Sequence, residues 1–227
     1  MTTHLQRELD TLKDTFMKLV ELVENTIGLA AKSLNEMDRA LAEKIIEADD
    51  AIDQMEIKIE EDCLKLLALY QPVAVDLRFI VAILKINNDL ERIADLGVNI
   101  AKRVVILSTQ KVTIDTFDFP IMLDKVSIML SKSLDALVRR DTELAKEVRA
   151  LDREVDILKS KIEEKVIKEL QTHPEQVPAY LCILSTCRHL ERIADHATNI
   201  AEDVIYMVDG AIIRHRSYTC KNPASTN

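Results

Sequence analysis

Along most of this chain apolar residues return at steps of three and four, the spacing that lines one buried face of an α-helix. Read with the breakers between them, these stripes predict six long helices. The first three run from Leu5 to about Arg39, from about Leu41 to Tyr70, and from about Val75 to Ser108. The other three run from Phe119-Pro120 to about Arg140, from Asp141 or Thr142 to about Gln171, and from near Pro178 to about Gly210. Pro72 and the stretch Thr172-His173-Pro174 open the turns before the third and sixth helices. The expected fold class is therefore all-α: two tandem three-helix bundles, residues 1–110 and 111–212, followed by a flexible tail, 213–227. The polar segment Ser108 to Asp118 joins the two halves.

The halves are copies of one plan. Leu-Glu-Arg-Ile-Ala-Asp occupies 90–95 and again 190–195, each time followed by Asn-Ile-Ala, at 99–101 and 199–201. Lys-Ser-Leu at 32–34 recurs at 132–134, and Ile59-Glu60-Glu61 recurs as Ile162-Glu163-Glu164. Ile86, Leu90, Ile93, Gly97, Ile100 and Val104 make one apolar stripe, and Leu190, Ile193, Ala197, Ile200 and Val204 make its counterpart. The Leu, Ile and Ala of the repeated hexapeptide are thus assigned to the core, which leaves its Glu and Asp to be explained.

Composition supports this plan. With 227 residues, 48% of them apolar, the chain can bury a substantial core, and three Gly, five Pro and no Trp leave little turn chemistry for a β fold. The longest unbroken apolar run, Phe79 to Leu84, is too short for a membrane span, and the polar N-terminus does not read as a signal peptide, so the expected location is cytoplasmic. A net charge of −9 with no basic run longer than two residues argues against nucleic acid and against a bare anionic lipid surface. Cys63, Cys182, Cys187 and Cys220 form no CxxC pair, and the first three read as small apolar helix residues.

Glu91 and Asp95, four residues apart, stack on one helix face, with Asn99 continuing the row. Asp49 with Asp53, Asp152 with Asp156, and Glu191 with Asp195 (continued by Asn199) repeat the spacing, although like charges so placed destabilise a helix. In an antiparallel helix hairpin, residues equidistant from the turn lie at one height. Asp53 with Glu91 and Asp49 with Asp95 are each centred on Pro72; Asp156 with Glu191 and Asp152 with Asp195 are each centred between His173 and Pro174. Each hairpin is thereby expected to gather four carboxylates on the bundle surface, an all-oxygen set suited to hard or borderline cations such as magnesium, calcium, manganese or iron. The competing reading is a solvated acidic face relieved by Arg92, Arg192 and Lys102. His189 and His196 point away from the acids and are assigned to surface or packing roles. No Glu-x-x-His, phosphate-binding glycine loop or activated nucleophile is present, so no enzyme is expected.

Two three-helix repeats, each carrying (E/D)xxxD on its second and third helices, resemble the PhoU family of phosphate-transport regulators. The resemblance rests on Asp49-x-x-x-Asp53, Glu91-x-x-x-Asp95, Asp152-x-x-x-Asp156 and Glu191-x-x-x-Asp195, on the Ala-Asp-x-x-x-Asn-Ile-Ala contexts at 94–101 and 194–201, and on Tyr206-Met207-Val208. It implies a cytoplasmic negative regulator of the phosphate-starvation response that modulates high-affinity phosphate uptake. It also implies an adaptor between the ATPase subunit of the phosphate ABC transporter and a sensor histidine kinase, peripheral to the membrane through these partners, and commonly a homodimer. Divalent or ferric ions (iron, zinc, manganese, magnesium or calcium) at the acidic motifs are implied as well. A metal-free scaffold that docks basic partners through the acids, and a carboxylate-bridged metalloenzyme, are the alternatives.

Overall fold

The computed structural model describes residues 3–110 and 117–210. Its elements are α1 (Thr3–Glu36), α2 (Arg39–Glu47), α3 (Asp50–Tyr70), α4 (Ala74–Leu107), α5 (Phe119–Arg139), α6 (Thr142–Thr172) and α7 (Val177–Asp209), with a 3₁₀ turn at Pro174–Gln176 before the last. The chain is all-α, and the expected tail and most of the joining segment lie outside the described residues.

Matching turn chemistry ends the first helix of each half. Met37 and Arg140 adopt left-handed backbone, with φ of 52° and 54°. Asp38 and Asp141 then cap the helices that follow, accepting from the backbone N–H of Leu41 in one case and of Glu143 and Leu144 in the other. The second hairpins turn where the acids require it, at Gln71–Val73 and at His173–Gln176.

One element departs from expectation. The helix expected from Leu41 to Tyr70 is broken at Ala48–Asp49 into α2 and α3. The Ala48 N–H still reaches the carbonyls of Lys44 and Ile45, and a new helical run starts from the Asp49 carbonyl, which accepts from Ile52 at 2.9 Å. Restarting there places Asp50 and Asp53 in the first turn of α3, beside the positive end of its dipole. The second half has Arg153 where the first has Asp50, and α6 runs through the corresponding position without a break.

α1 to α4 pack together and α5 to α7 pack together, and α4 lies against α7 and α1 against α5, so that one apolar core runs through both halves. The expected stripes of α4 and α7 are buried throughout. The repeated Lys-Ser-Leu has a packing explanation. Ser33 and Ser133 are fully buried and return their hydroxyl protons to the carbonyls of Ala30 and Leu130, while Leu34 and Leu134 enter the core. Gly97 lies close under α1, since a Cβ there would stand 2.8 Å from Ile27 Cδ1.

The seam between the halves is antiparallel and partly polar. Lys85 Nζ reaches the buried Asp203 at 3.2 Å and lies over the Tyr206 ring, and His196 Nδ1 lies 2.8 Å from Asp89 Oδ1 with both residues buried. Asn199 Nδ2 donates to the same Asp89 oxygen at 3.5 Å. This register brings Ala94 and Ala194, both buried, to one height on the two helices.

Candidate functional site: two acidic clusters

The mirrored spacing of the acids is realised in space. Asp49 lies in the field of Asp53 and Asp95, and Glu91 in that of Asp95 and Asp53, which joins α3 to α4. Asp152 lies in the field of Asp156 and Glu191, and Asp195 in that of Glu191, Asp152 and Asp156, which joins α6 to α7. All eight acids fall in two clusters of four. Asp53, Glu91 and Asp95 line a surface hollow of about 790 Å³ together with Glu56, Glu60 and Arg192. Asn199 faces the seam between α4 and α7 instead of the acids of its own row.

Both clusters strain against their own charge. Partial burial, then the neighbouring carboxylates, push Asp49, Glu91 and Asp152 above the ordinary carboxylate range. Asp195 is pushed furthest, to about 6, by desolvation first and then by Glu191, Asp152 and Asp156. Lys102 beside Asp49, and Arg92 beside Glu91, pull the other way with smaller effect.

This strain has a pH signature. A carboxyl whose folded pKa exceeds its unfolded value takes up protons on folding, so its destabilisation is complete above the folded value and disappears below the unfolded one. For Asp195 the window runs from about 6 down to the ordinary 3.8. The metal-free protein is expected to gain thermal stability as pH falls from 7 to 5, and Asp195→Asn to remove part of that gain. Solvent at the open edge of Asp195 keeps the contribution below about 1 kcal/mol, a shift of a few degrees by differential scanning fluorimetry. A midpoint for Asp195→Asn that tracks the parent's at every pH contradicts this.

The residues fit a bound cation in donor chemistry. Every acidic member offers oxygen, and Asp49 Oδ1 is buried without a hydrogen-bond partner. Among the described residues, however, no three His, Cys, Asp or Glu side chains converge on a ready-made coordination point. A cation would therefore be held only after these flexible side chains turn toward it.

Two participants escaped the sequence reading. Glu56 continues the row of Asp49 and Asp53 one turn on, and the fully buried Asn87 donates from Nδ2 both to its carboxylate and to its backbone carbonyl, each at 3.0 Å. Lys159, at the matching place in α6, donates to Glu191 Oε1 at 2.9 Å. The signal was available, since extending each row by three residues reaches Glu56 and Lys159. The histidines take polar partners of their own: His196 pairs with Asp89 across the seam, and His189 Nε2 lies 3.1 Å from Ser185 Oγ. Cys63, Cys182 and Cys187 are buried, and Cys220 lies outside the described residues.

An all-α protein of two like units, each with a surface cluster of acids across a helix hairpin, belongs to the class of tandem-repeat helical proteins. The family model described as "PhoU domain" matches twice, over residues 16–104 and 119–204. The chain belongs to the PhoU family. It is 37% identical to the phosphate-specific transport system accessory protein PhoU homologue of Aquifex aeolicus, over 93% of this chain and 96% of that relative. The crystal structure of PhoU from Pseudomonas aeruginosa superposes with a TM-score of 0.87 at 35% identity, covering 91% of this chain and 99% of that one. The phosphate transport system regulatory protein PhoU from Streptococcus pneumoniae gives a TM-score of 0.83 at 32% identity, covering 92% and 98%. The family is one of regulatory accessory proteins, not of enzymes. Among the described residues no helix is long and apolar enough to cross a membrane.

Proposed function

We propose that this protein is a cytoplasmic negative regulator of the phosphate-starvation response. In this reading it modulates high-affinity phosphate uptake as a helical adaptor between the transporter's ATPase subunit and a sensor histidine kinase. Family membership supports the connection to phosphate transport, since the relatives carry the names of accessory proteins of that system. The observation that carries the site is the meeting of four carboxylates in each hairpin, with Asp49 Oδ1 left without a donor.

In this proposal Asp49, Asp53, Glu91 and Asp95 hold cation in the first unit, and Asp152, Asp156, Glu191 and Asp195 in the second. The bound ion supplies positive charge that offsets the repulsion among them. The two acidic rows then hold α3 to α4, and α6 to α7, in one mutual register. That register sets the shape of the surfaces offered to the partners.

Affinity capture with the full chain from phosphate-replete cells is expected to recover a transporter ATPase and a histidine kinase. Recovery of neither overturns the adaptor reading. Elemental analysis after purification without chelator is expected to find metal that disappears when Glu91, Asp95, Glu191 and Asp195 are all changed to Ala. Metal absent from the parent, or unchanged in the variant, overturns the metal part. A metal-free scaffold is the second reading, favoured by the bond from Lys159 to Glu191, which shows that these acids accept a protein cation. A homodimer is proposed as the assembly, to be read from sedimentation equilibrium.

A further inference from the structure

The two clusters are built on one plan and differ at a coordinated pair of positions, besides the exchanges of Asp50 for Arg153 and of Val98 for Thr198 at their edges. In the first unit Glu56 adds a fifth carboxylate to Asp49, Asp53, Glu91 and Asp95. Its orientation is set from beneath by Asn87, which is fully buried and donates to both the Glu56 carboxylate and the Glu56 backbone carbonyl. Asn87 Oδ1, like Asp49 Oδ1, is buried without a hydrogen-bond partner. An amide buried at such cost is retained where it positions a polar group.

In the second unit both members of the pair are exchanged. Lys159 stands where the first unit has Glu56, and Cys187 stands where it has Asn87. The Cys187 thiol is buried and feels the Lys159 charge, so the two positions face each other here as well. The ammonium bonds Glu191 at 2.9 Å and is also drawn to Asp156. Over the matched positions, Asp49, Asp53, Glu56, Glu91 and Asp95 are five carboxylates, while Asp152, Asp156, Lys159, Glu191 and Asp195 are four carboxylates and one ammonium, formal charges of −5 and −3; Glu60 and Glu163 add one further carboxylate to each side. Basic residues flank the clusters in both units: Lys102, Arg92 and Arg192 around the first, and Arg149, paired to Glu202, beside α7 in the second.

We infer that Lys159 is a built-in counter-ion of the second cluster, and that the clusters are consequently unequal. The first takes a hard divalent cation directly, with Glu56 as an added oxygen donor, and the second takes one only as the Lys159 ammonium gives up Glu191. Competition with a tethered ammonium lowers affinity without altering the four acids. Deeper negative charge and an extra oxygen raise it in the first cluster. This inference rests on the proposal that the clusters bind cations.

Titration of the chelator-treated full-length protein with manganese(II) chloride by calorimetry tests it. The parent is expected to show two classes of site at least about tenfold apart in Kd. Asp152→Asn with Asp195→Asn should remove the weak class alone. Lys159→Met, which keeps the aliphatic stem, should tighten the weak class by about tenfold, and Glu56→Lys should move the tight class toward the weak one. Circular dichroism shows whether each variant keeps its helices, and the exposed edge of both positions makes a folding failure in both variants a refutation of their assigned surface role. A single class in the parent, or a weak class that Lys159→Met leaves unmoved, overturns the inference while leaving cation binding intact. Absence of saturable binding in all of the proteins overturns the cation reading and this inference with it.

Discussion

Gly97→Val is expected to lower the stability of the protein by about 2 kcal/mol, a drop in thermal midpoint of roughly 4–8 °C. Two opposed effects meet at this position. Glycine inside α4 costs about 1 kcal/mol of helix propensity relative to alanine. Any Cβ there, however, arrives 2.8 Å from Ile27 Cδ1, with Thr26 and Ala30 of α1 just behind. For Gly97→Ala the terminal methyl of Ile27 can swing aside, the propensity gain offsets the repacking, and the net change should stay within about 0.5 kcal/mol. Valine adds two branched methyls that must also find room against the Thr26 and Ala30 side chains, which unlike the end of Ile27 are short and cannot swing aside. Ala197 occupies the matching place in α7 and is itself fully buried, so the second repeat already tolerates a Cβ there. Urea denaturation of the two variants checks the contrast; equal losses for alanine and valine contradict the close approach as the cause.

Changing Asp49, Asp53, Glu91 and Asp95 together to their amides is expected to act in the other direction. At pH 8, in chelator, the variant should be more stable than the parent by about 1–2 kcal/mol, because the amides keep the shape and discard the repulsion. Burial and like charge raise Asp49 and Glu91 in the folded state, so the parent's handicap is complete above their folded pKa values. It vanishes below the ordinary values of 3.8 and 4.5. The two melting curves should therefore converge as pH falls to about 4. Removal of four acids that merely decorate a solvated face leaves the midpoint at pH 8 unmoved, and that outcome contradicts a mutually repelling cluster.

Much of this arrangement is legible in the amino-acid sequence because helix periodicity and proline placement are local. The hairpin turns, the apolar stripes and the meeting of Asp53 with Glu91 all follow from counting residues outward from Pro72. The break at Ala48–Asp49 does not, since backbone dihedrals on both sides remain helical and no glycine or proline marks it. The seam was equally hidden. Asp89 and Asp203 look like ordinary solvent-facing acids until α7 brings His196 to the first and α4 brings Lys85 to the second. Pairings between helices so distant in sequence depend on how the two units meet, which no single helix encodes. Glu56 and Lys159 were missed for a different reason: attention to matching residues in the two repeats passes over the place where they differ.

The antiparallel register of α4 on α7 brings equivalent points of the two repeats, Ala94 and Ala194, to one height. Shifting the first repeat's residues by one hundred exchanges the two sides of the seam. That is the signature of a pseudo-two-fold, isologous contact contained in one chain. The polar pairs do not follow the symmetry. Opposite Lys85–Asp203 the exchanged positions hold Ser185 and Arg103, and opposite Asp89–His196 they hold His189 and Leu96. Each polar pair of the seam is therefore made between unlike residues of the two repeats, and it fixes which face of α7 meets α4.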